Sequence, residues 1–233
     1  MNAAVDAAVA EETDVAEQRS ATKASAGASA AASSPAAGGR SLSGEKAQRI
    51  VEAMRSSVAR RGTAGSTFDH VSREAGVSRG LLHYYFGTKE QLLVEAVRRD
   101  CELRMELLEG RLASAQSADD YIDLMAQNLQ DTVHEEPEFV TLVFELFTLS
   151  RRNEDIAAEY AGLMRRMRGQ VAAMLAVAQV EGILRLHAEP EAVAEILFSL
   201  ADGLVLRMLA EPDRDFTATV QAGILAVRAL LTD

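Results

Sequence analysis

The 233-residue chain has no tryptophan, one cysteine and four prolines. With Cys101 alone there is no internal disulfide framework, and a lone thiol fits a reducing compartment. No apolar run reaches the roughly 18 residues that a membrane-crossing helix needs. The opening MNAAVDAAVAEETD lacks the basic start of a secretion signal and carries acids where that signal is apolar, so a cytoplasmic protein is expected. His70, His83, His134 and His187 are scattered, and none shares metal-ligand spacing with Cys101. A glycine-rich phosphate loop and a nucleophile elbow are missing too. These absences leave no catalytic residue, metal or cofactor to nominate. An all-helical enzyme with an unfamiliar site is the alternative they leave open.

What is present is unevenly distributed. The net charge is −11, yet residues 40–90 hold nine basic and five acidic side chains, against 13 basic and 25 acidic from residue 91 onward. A small module suited to a polyanion is thus joined to an acidic body. Residues 1–39 are mostly Ala, Ser and Gly, ending in ASAGASAAASSPAAGG, and offer little to bury. They read as a disordered tail, with 40–90 and 91–233 as two domains.

Strand signals are absent from Ser43 onward, and the apolar spacing is helical. The expected fold is all-α, with about nine helices. The first runs over 45–61, with Ile50, Met54 and Val58 inward and Gly62 as its stop. Ser66 or Thr67 caps a short helix to Ala75, with Phe68 and Val71 inward. Gly76 supplies a turn, and Ser78 caps a third helix over 79–85. Thr88 and Gln91 have capping-box spacing and open a long helix to about Ser114. Further helices are expected over 118–135, 137–152, 154–181, 190–210 and 214–231, punctuated by Pro137, Gly182, Pro190 and Pro212.

The third helix carries the chemistry. In SRGLLHYYF, a period of 100° per residue stacks Ser78, Leu82 and Phe86 on one stripe, so Leu82 and Phe86 point to the core. His83 and Tyr84 then face out, and Tyr85 lies at the border. Two short helices around a glycine turn match helix-turn-helix geometry, whose second helix enters the DNA major groove. Arg79 suits guanine O6 and N7, and Leu81 a thymine methyl. Gly80 permits close backbone approach, and the tyrosine hydroxyls suit phosphates. Lys89 opens the next helix, where amides and dipole already favour a phosphate.

The stretch STFDHVSREAGVSRGLLHYYFGTKEQLLVEAV, residues 66–97, resembles the DNA-binding signature of the tetracycline-repressor (TetR) family of bacterial transcriptional regulators. Matched by position, the family's DNA contacts fall on Thr67, Ser78, Arg79, Gly80, Leu81, His83, Tyr84, Tyr85 and Lys89. His83 departs from the pattern, because the family usually has an aromatic hydroxyl there. The resemblance implies a repressor released from a double-stranded DNA operator by a small apolar or amphipathic effector held in the helical body. A DNA-binding regulator that acts without an effector is the other reading.

Within the body, adaptable Met and Phe side chains suit such a pocket: Met105, Met125, Phe144, Phe147, Met164 and Met167 are its candidates, with plain core packing as the ordinary alternative for each. PEFVTLVFELF sets Phe139, Val143 and Phe147 on one apolar stripe. Glu145 shares its face with Thr141 and Thr148 and reads as solvated, as does the cluster Arg165, Arg166 and Arg168. Residues 193–209 are apolar on more than one face, and Phe216, Val220, Ile224, Val227 and Leu231 form a stripe. Ala218, Ala222, Ala226 and Ala229 allow close helix approach. A homodimer is expected through both helices, around Ile196, Leu200, Leu204, Val220, Ile224 and Val227.

Overall fold

The computed structural model describes residues 44–232; the segment 1–39 lies outside the described residues. Among them the chain forms nine α-helices and no strand: α1 (Gly44–Gly65), α2 (Phe68–Ala75), α3 (Arg79–Phe86), α4 (Lys89–Leu112), α5 (Ala118–Glu135), α6 (Pro137–Ser150), α7 (Glu154–Val180), α8 (Pro190–Ala210) and α9 (Thr217–Leu231). In α1 the apolar positions Ala47, Ile50, Val51, Met54 and Val58 recur at helical spacing, and all are buried. Gly62 breaks the helical backbone where the stop is expected, and the few residues to Gly65 form a separate turn beyond the kink. The Gly62 backbone (φ 66°, ψ 172°) is accessible essentially to glycine alone, and the turn that follows is closed by the Ser66 N–H on the Gly62 carbonyl at 3.2 Å.

Capping sets the short helices. Thr67 Oγ1 accepts the His70 N–H at 3.3 Å, so Thr67 is the cap of α2. Ser66 is buried instead, taking a hydrogen bond from Ser57 at 3.0 Å and giving one to the Gly62 carbonyl at 2.9 Å. Gly76 (φ 65°) makes the left-handed turn, after which Ser78 Oγ accepts the Leu81 N–H at 3.2 Å. Thr88 Oγ1 accepts the Gln91 N–H at 3.1 Å and opens α4. Pro137 and Pro190 sit in the first turns of α6 and α8, where a missing N–H costs nothing. The last helix starts at Thr217 rather than at 214, because Asp215 takes the Thr217 N–H at 2.8 Å and the Phe216 side chain is buried at the cap.

Two apolar cores result. One joins α1, α2, α3, the first half of α4, α6 and the start of α7, around Ile50, Leu82, Leu92 and Leu146. The other joins the end of α4, α5, the end of α7, α8 and α9, around Ile122, Leu175 and Leu231. Met167 packs against both. Helices α1, α2 and α3 therefore share their core with α4 and α6, and α4 runs unbroken past residue 90.

Three expectations about burial need correcting. Phe86 is only half-buried, whereas Leu81 and Tyr85 also pack against the core. Helix α3 touches both α2 and α4, so its buried arc widens to Leu81, Leu82, Tyr85 and Phe86, and its last residue lies at the edge. Phe147 does not follow Phe139 inward and is 45% exposed. The buried face of α6 is Phe139, Val140, Leu142 and Leu146, with the stripe of Val143 and Phe147 turned aside. Glu145 is half-buried and accepts a hydrogen bond from Thr63 of α1, so it ties α6 to α1 instead of facing solvent.

Candidate nucleic-acid interface and internal cavity

The outer face of α3 presents Arg79, Gly80, His83 and Tyr84, all exposed, with Tyr84 at 60%. Ser78 and Thr67, the two capping residues, are exposed beside it. Tyr84 and Tyr85 meet edge to face at 5.1 Å, so the half-buried ring of Tyr85 steadies its neighbour.

Arg79 is already oriented. Its Nη1 lies 3.3 Å from Asp69 Oδ1 on α2, and its Nε donates to His83 Nε2 at 3.3 Å, one helical turn on. The other ring nitrogen, Nδ1, lies 3.3 Å from the Gly87 carbonyl. A carbonyl only accepts, so this geometry puts the proton on Nδ1 and leaves Nε2 to accept from Arg79. The ring edge also meets Phe68 at 4.6 Å. His83 thus braces Arg79 as well as facing outward. Asp69 went unnoticed in the sequence because its pairing depends on how α2 and α3 cross.

Lys89 is placed differently from a free phosphate hook. Its Nζ donates to the Thr63 carbonyl at 3.0 Å, joining the start of α4 to the end of α1. Leu81, half-buried against the core, keeps only part of its side chain outside. Of the nine positions matched to DNA contacts, Thr67, Ser78, Arg79, Gly80, His83 and Tyr84 are exposed, whereas Leu81, Tyr85 and Lys89 are half-buried.

In the body, α4, α5, α6, α7 and α8 surround a cavity of about 370 Å³. Met105, Met125, Phe144, Phe147, Met164 and Met167 all line it, together with the aromatic side chains of Phe139, Tyr160 and Phe198. Arg104, Asn128, Thr132 and Asp202 are polar wall residues that sequence reading passed over. Arg104 had left a signal, since it sits three residues after Cys101 and four before Leu108, on the buried face of α4. Cys101 is buried on the same wall, and burial pushes its thiol up to about 12. A buried thiol kept protonated packs as a small apolar side chain.

A second, larger cavity of about 710 Å³ lies between α5, α8 and α9 and shares Met125, Leu129, Leu197 and Ala201 with the first. Leu204, Val220, Ile224 and Val227 are half-buried on its walls, and Leu200 also lines it. Ile224 and Val227 pack against their own chain's core, so the outward apolar side of α9 is Leu225 with Ala218, Ala222 and Ala229. On α8 the outward side is Ile196, Leu200 and Leu206. No described helix is long and apolar enough to cross a membrane.

Residues 50–96 match the bacterial regulatory proteins of the tetR family, and residues 118–231 match the C-terminal region of BetI-type transcriptional repressors. The transcriptional regulator BetI of Agrobacterium fabrum is 28% identical over 167 residues, covering 70% of this chain and 76% of that protein. The regulator PksA of Bacillus subtilis is 25% identical over 181 residues, covering 73% and 82%. Among solved structures, a transcriptional regulator from Saccharomonospora viridis in complex with choline superimposes with a TM-score of 0.66 at 21% identity, covering 82% of this chain and all of that one. The regulator FadR from Bacillus subtilis in complex with stearoyl-CoA gives 0.65 at 14% identity, covering 77% and 98%. The helix-turn-helix at one end, the helical body at the other and the family matches along both agree: the chain belongs to the TetR family of bacterial transcriptional regulators.

Proposed function

We propose that this protein is a homodimeric cytoplasmic repressor whose hold on its operator is released by a small molecule. Residues 40–90 form the DNA-binding domain and 91–233 the effector and dimerisation domain, with α4 belonging to both. Each subunit lays α3 in a major groove, on half-sites about one helical turn apart or somewhat more. Arg79 reads a base edge, and Ser78, Tyr84 and Thr67 hold phosphates. Lys89 reaches a phosphate only by relaxing its bond to Thr63. An apolar or amphipathic effector in the 370 Å³ cavity favours a conformer that spaces the two α3 helices wrongly, and affinity falls by the effector's preference for that conformer.

The observation that carries this reading is the pairing, in one chain, of an exposed Arg79–Tyr84 helix face with an apolar cavity walled by helices that also contact α1. Choline and stearoyl-CoA in the neighbouring structures belong to those proteins; they support the cavity as a ligand site in this fold. The test is to select bound fragments from the source genome, measure affinity by anisotropy across a salt series, and screen small molecules for release. A salt-dependent preference for particular fragments is expected. Equal binding to all duplexes would overturn sequence-specific regulation, and a screen without release would favour a regulator that needs no effector.

A further inference from the structure

Arg104 stands out in the wall of the 370 Å³ cavity, where only it and Asp202 carry charge. Its side chain is 16% exposed. The guanidinium carbon sits 3.8 Å above the ring of Phe139, and Nη2 pairs with Glu136 at the junction of α5 and α6. Nε is buried and has no hydrogen-bond partner among the described residues. A guanidinium so placed holds one acceptor and lacks another, on the side of a fork that carboxylates fit in pairs.

Glu136 is shared. Arg55 of α1 donates from Nη2 to the same Glu136 oxygen at 2.9 Å. The other nitrogens of Arg55 lie 3.7 Å from Asp100 and 3.8 Å from Glu138. One carboxylate oxygen therefore joins a cavity-wall arginine to the helix on which α2 rests, and α2 in turn holds Arg79 through Asp69.

We infer that Arg104 anchors a carboxylate on the effector, and that its capture from Glu136 is felt at α1 through Arg55. This rests on the reading of the cavity as the effector site. Most of the cavity wall is apolar, so the body of such a ligand is an acyl or aryl group, and the low exposure of Arg104 strengthens the ion pair that its head makes. Glu136 is 40% exposed, so solvent receives it when Arg104 turns away. Asp202, the other charged wall residue, has Arg168 and Tyr160 as its electrostatic neighbours and not Arg104. Loss of one of the two cations on Glu136 then leaves its oxygen to Arg55 alone, which alters the contact between α1 and α6.

The experiment compares decanoate, decanol and decyltrimethylammonium, equal chains with anionic, neutral and cationic heads, by calorimetry on the full chain below their micelle concentrations. Decanoate is expected to bind at least about tenfold more tightly than decanol. Arg104→Met removes that advantage and leaves decanol binding intact, and Arg104→Lys keeps part of it because the charge remains without the fork. Arg55→Met keeps the affinity for decanoate but no longer releases the selected duplex when decanoate binds. Equal affinity for the three heads, a cationic preference, no binding of any of them, or a decanoate preference that survives Arg104→Met overturns the proposal. If Arg104→Met does not fold, the ranking of heads on the parent and on Arg104→Lys decides it. Failure of the parent to hold any duplex would instead sink the regulator reading, while calorimetry still ranks the heads.

Discussion

Asp69 and His83 hold the Arg79 guanidinium on the surface, so in the proposed mode of binding these contacts are exchanged for a base edge instead of a free side chain being ordered. Arg79→Ala should cost about 1–3 kcal/mol on the cognate duplex and relax preference at one base pair. Tyr84→Phe should weaken binding to all duplexes by a similar factor, because phosphates carry no sequence information. Anisotropy on cognate and scrambled duplexes at fixed salt separates the two, and a Tyr84→Phe defect confined to one sequence would show that Tyr84 reads bases. Buried acids give a second residue-scale expectation. Burial raises Cys101 from 9.0 and Tyr121 from 10.0, each to about 12. Both are neutral in the fold, and the unfolded chain ionises first as pH rises. Stability from these groups is therefore full below about pH 9 and falls from there toward 12. Urea midpoints between pH 7 and 11 should drop at the alkaline end, and the Cys101→Ala, Tyr121→Phe pair should flatten that drop.

Among the elements, α3 carries a glycine where a helix alone gains from alanine. Gly80 lies in its first turn, and a methyl group placed there meets nothing within 4 Å. Alanine favours the helix over glycine by up to about 1 kcal/mol. Gly80→Ala should hold or raise the melting temperature and still lower DNA affinity, since its new methyl faces the groove. A variant that binds as well as the parent would mean that the backbone of α3 does not approach the bases closely. Helix α6 works by its sides: Leu142 and Leu146 fill the core, Phe144 and Phe147 line the cavity, and Glu145 bonds Thr63. Apolar periodicity identified α6 as a buried helix. It could not divide the apolar residues between core and cavity, because that split depends on which neighbours lie on each side.

At the scale of the whole molecule, the outward faces of α8 and α9 expose Ile196 at 48%, Leu206 at 53% and Leu225 at 66%. Apolar groups clustered on one face are the usual mark of an association surface. A two-fold pairing would place each face against its own copy, so one change acts twice. Leu225→Glu and Ile196→Glu should each shift the protein from dimer to monomer in light scattering and weaken operator binding, with little change in helix content. A variant that stays dimeric would relocate the interface, and a monomeric parent would overturn dimerisation. Val220, Ile224 and Val227, the α9 residues expected at the interface, are half-buried on the walls of the second cavity in the single chain, and Ile224 and Val227 also pack against its core.

What the sequence determined by itself was everything set by near neighbours along the chain. Helix spacing, the caps Ser78 and Thr88, the left-handed turn at Gly76 and the local excess of basic residues are all encoded within a few positions, whereas the burial of Ser66 made Thr67 the cap of α2. These features defined the helix-turn-helix and the outward residues of α3, while its buried arc was set by packing against α2 and α4. Tertiary structure alone decided the partners that lie far apart in the chain. It set Asp69 against Arg79, Lys89 on the Thr63 carbonyl, Glu145 on Thr63, and Arg55 and Arg104 on one oxygen of Glu136. Such contacts depend on the angles at which helices cross, and those follow from the summed fit of many apolar side chains rather than from any residue in the pair.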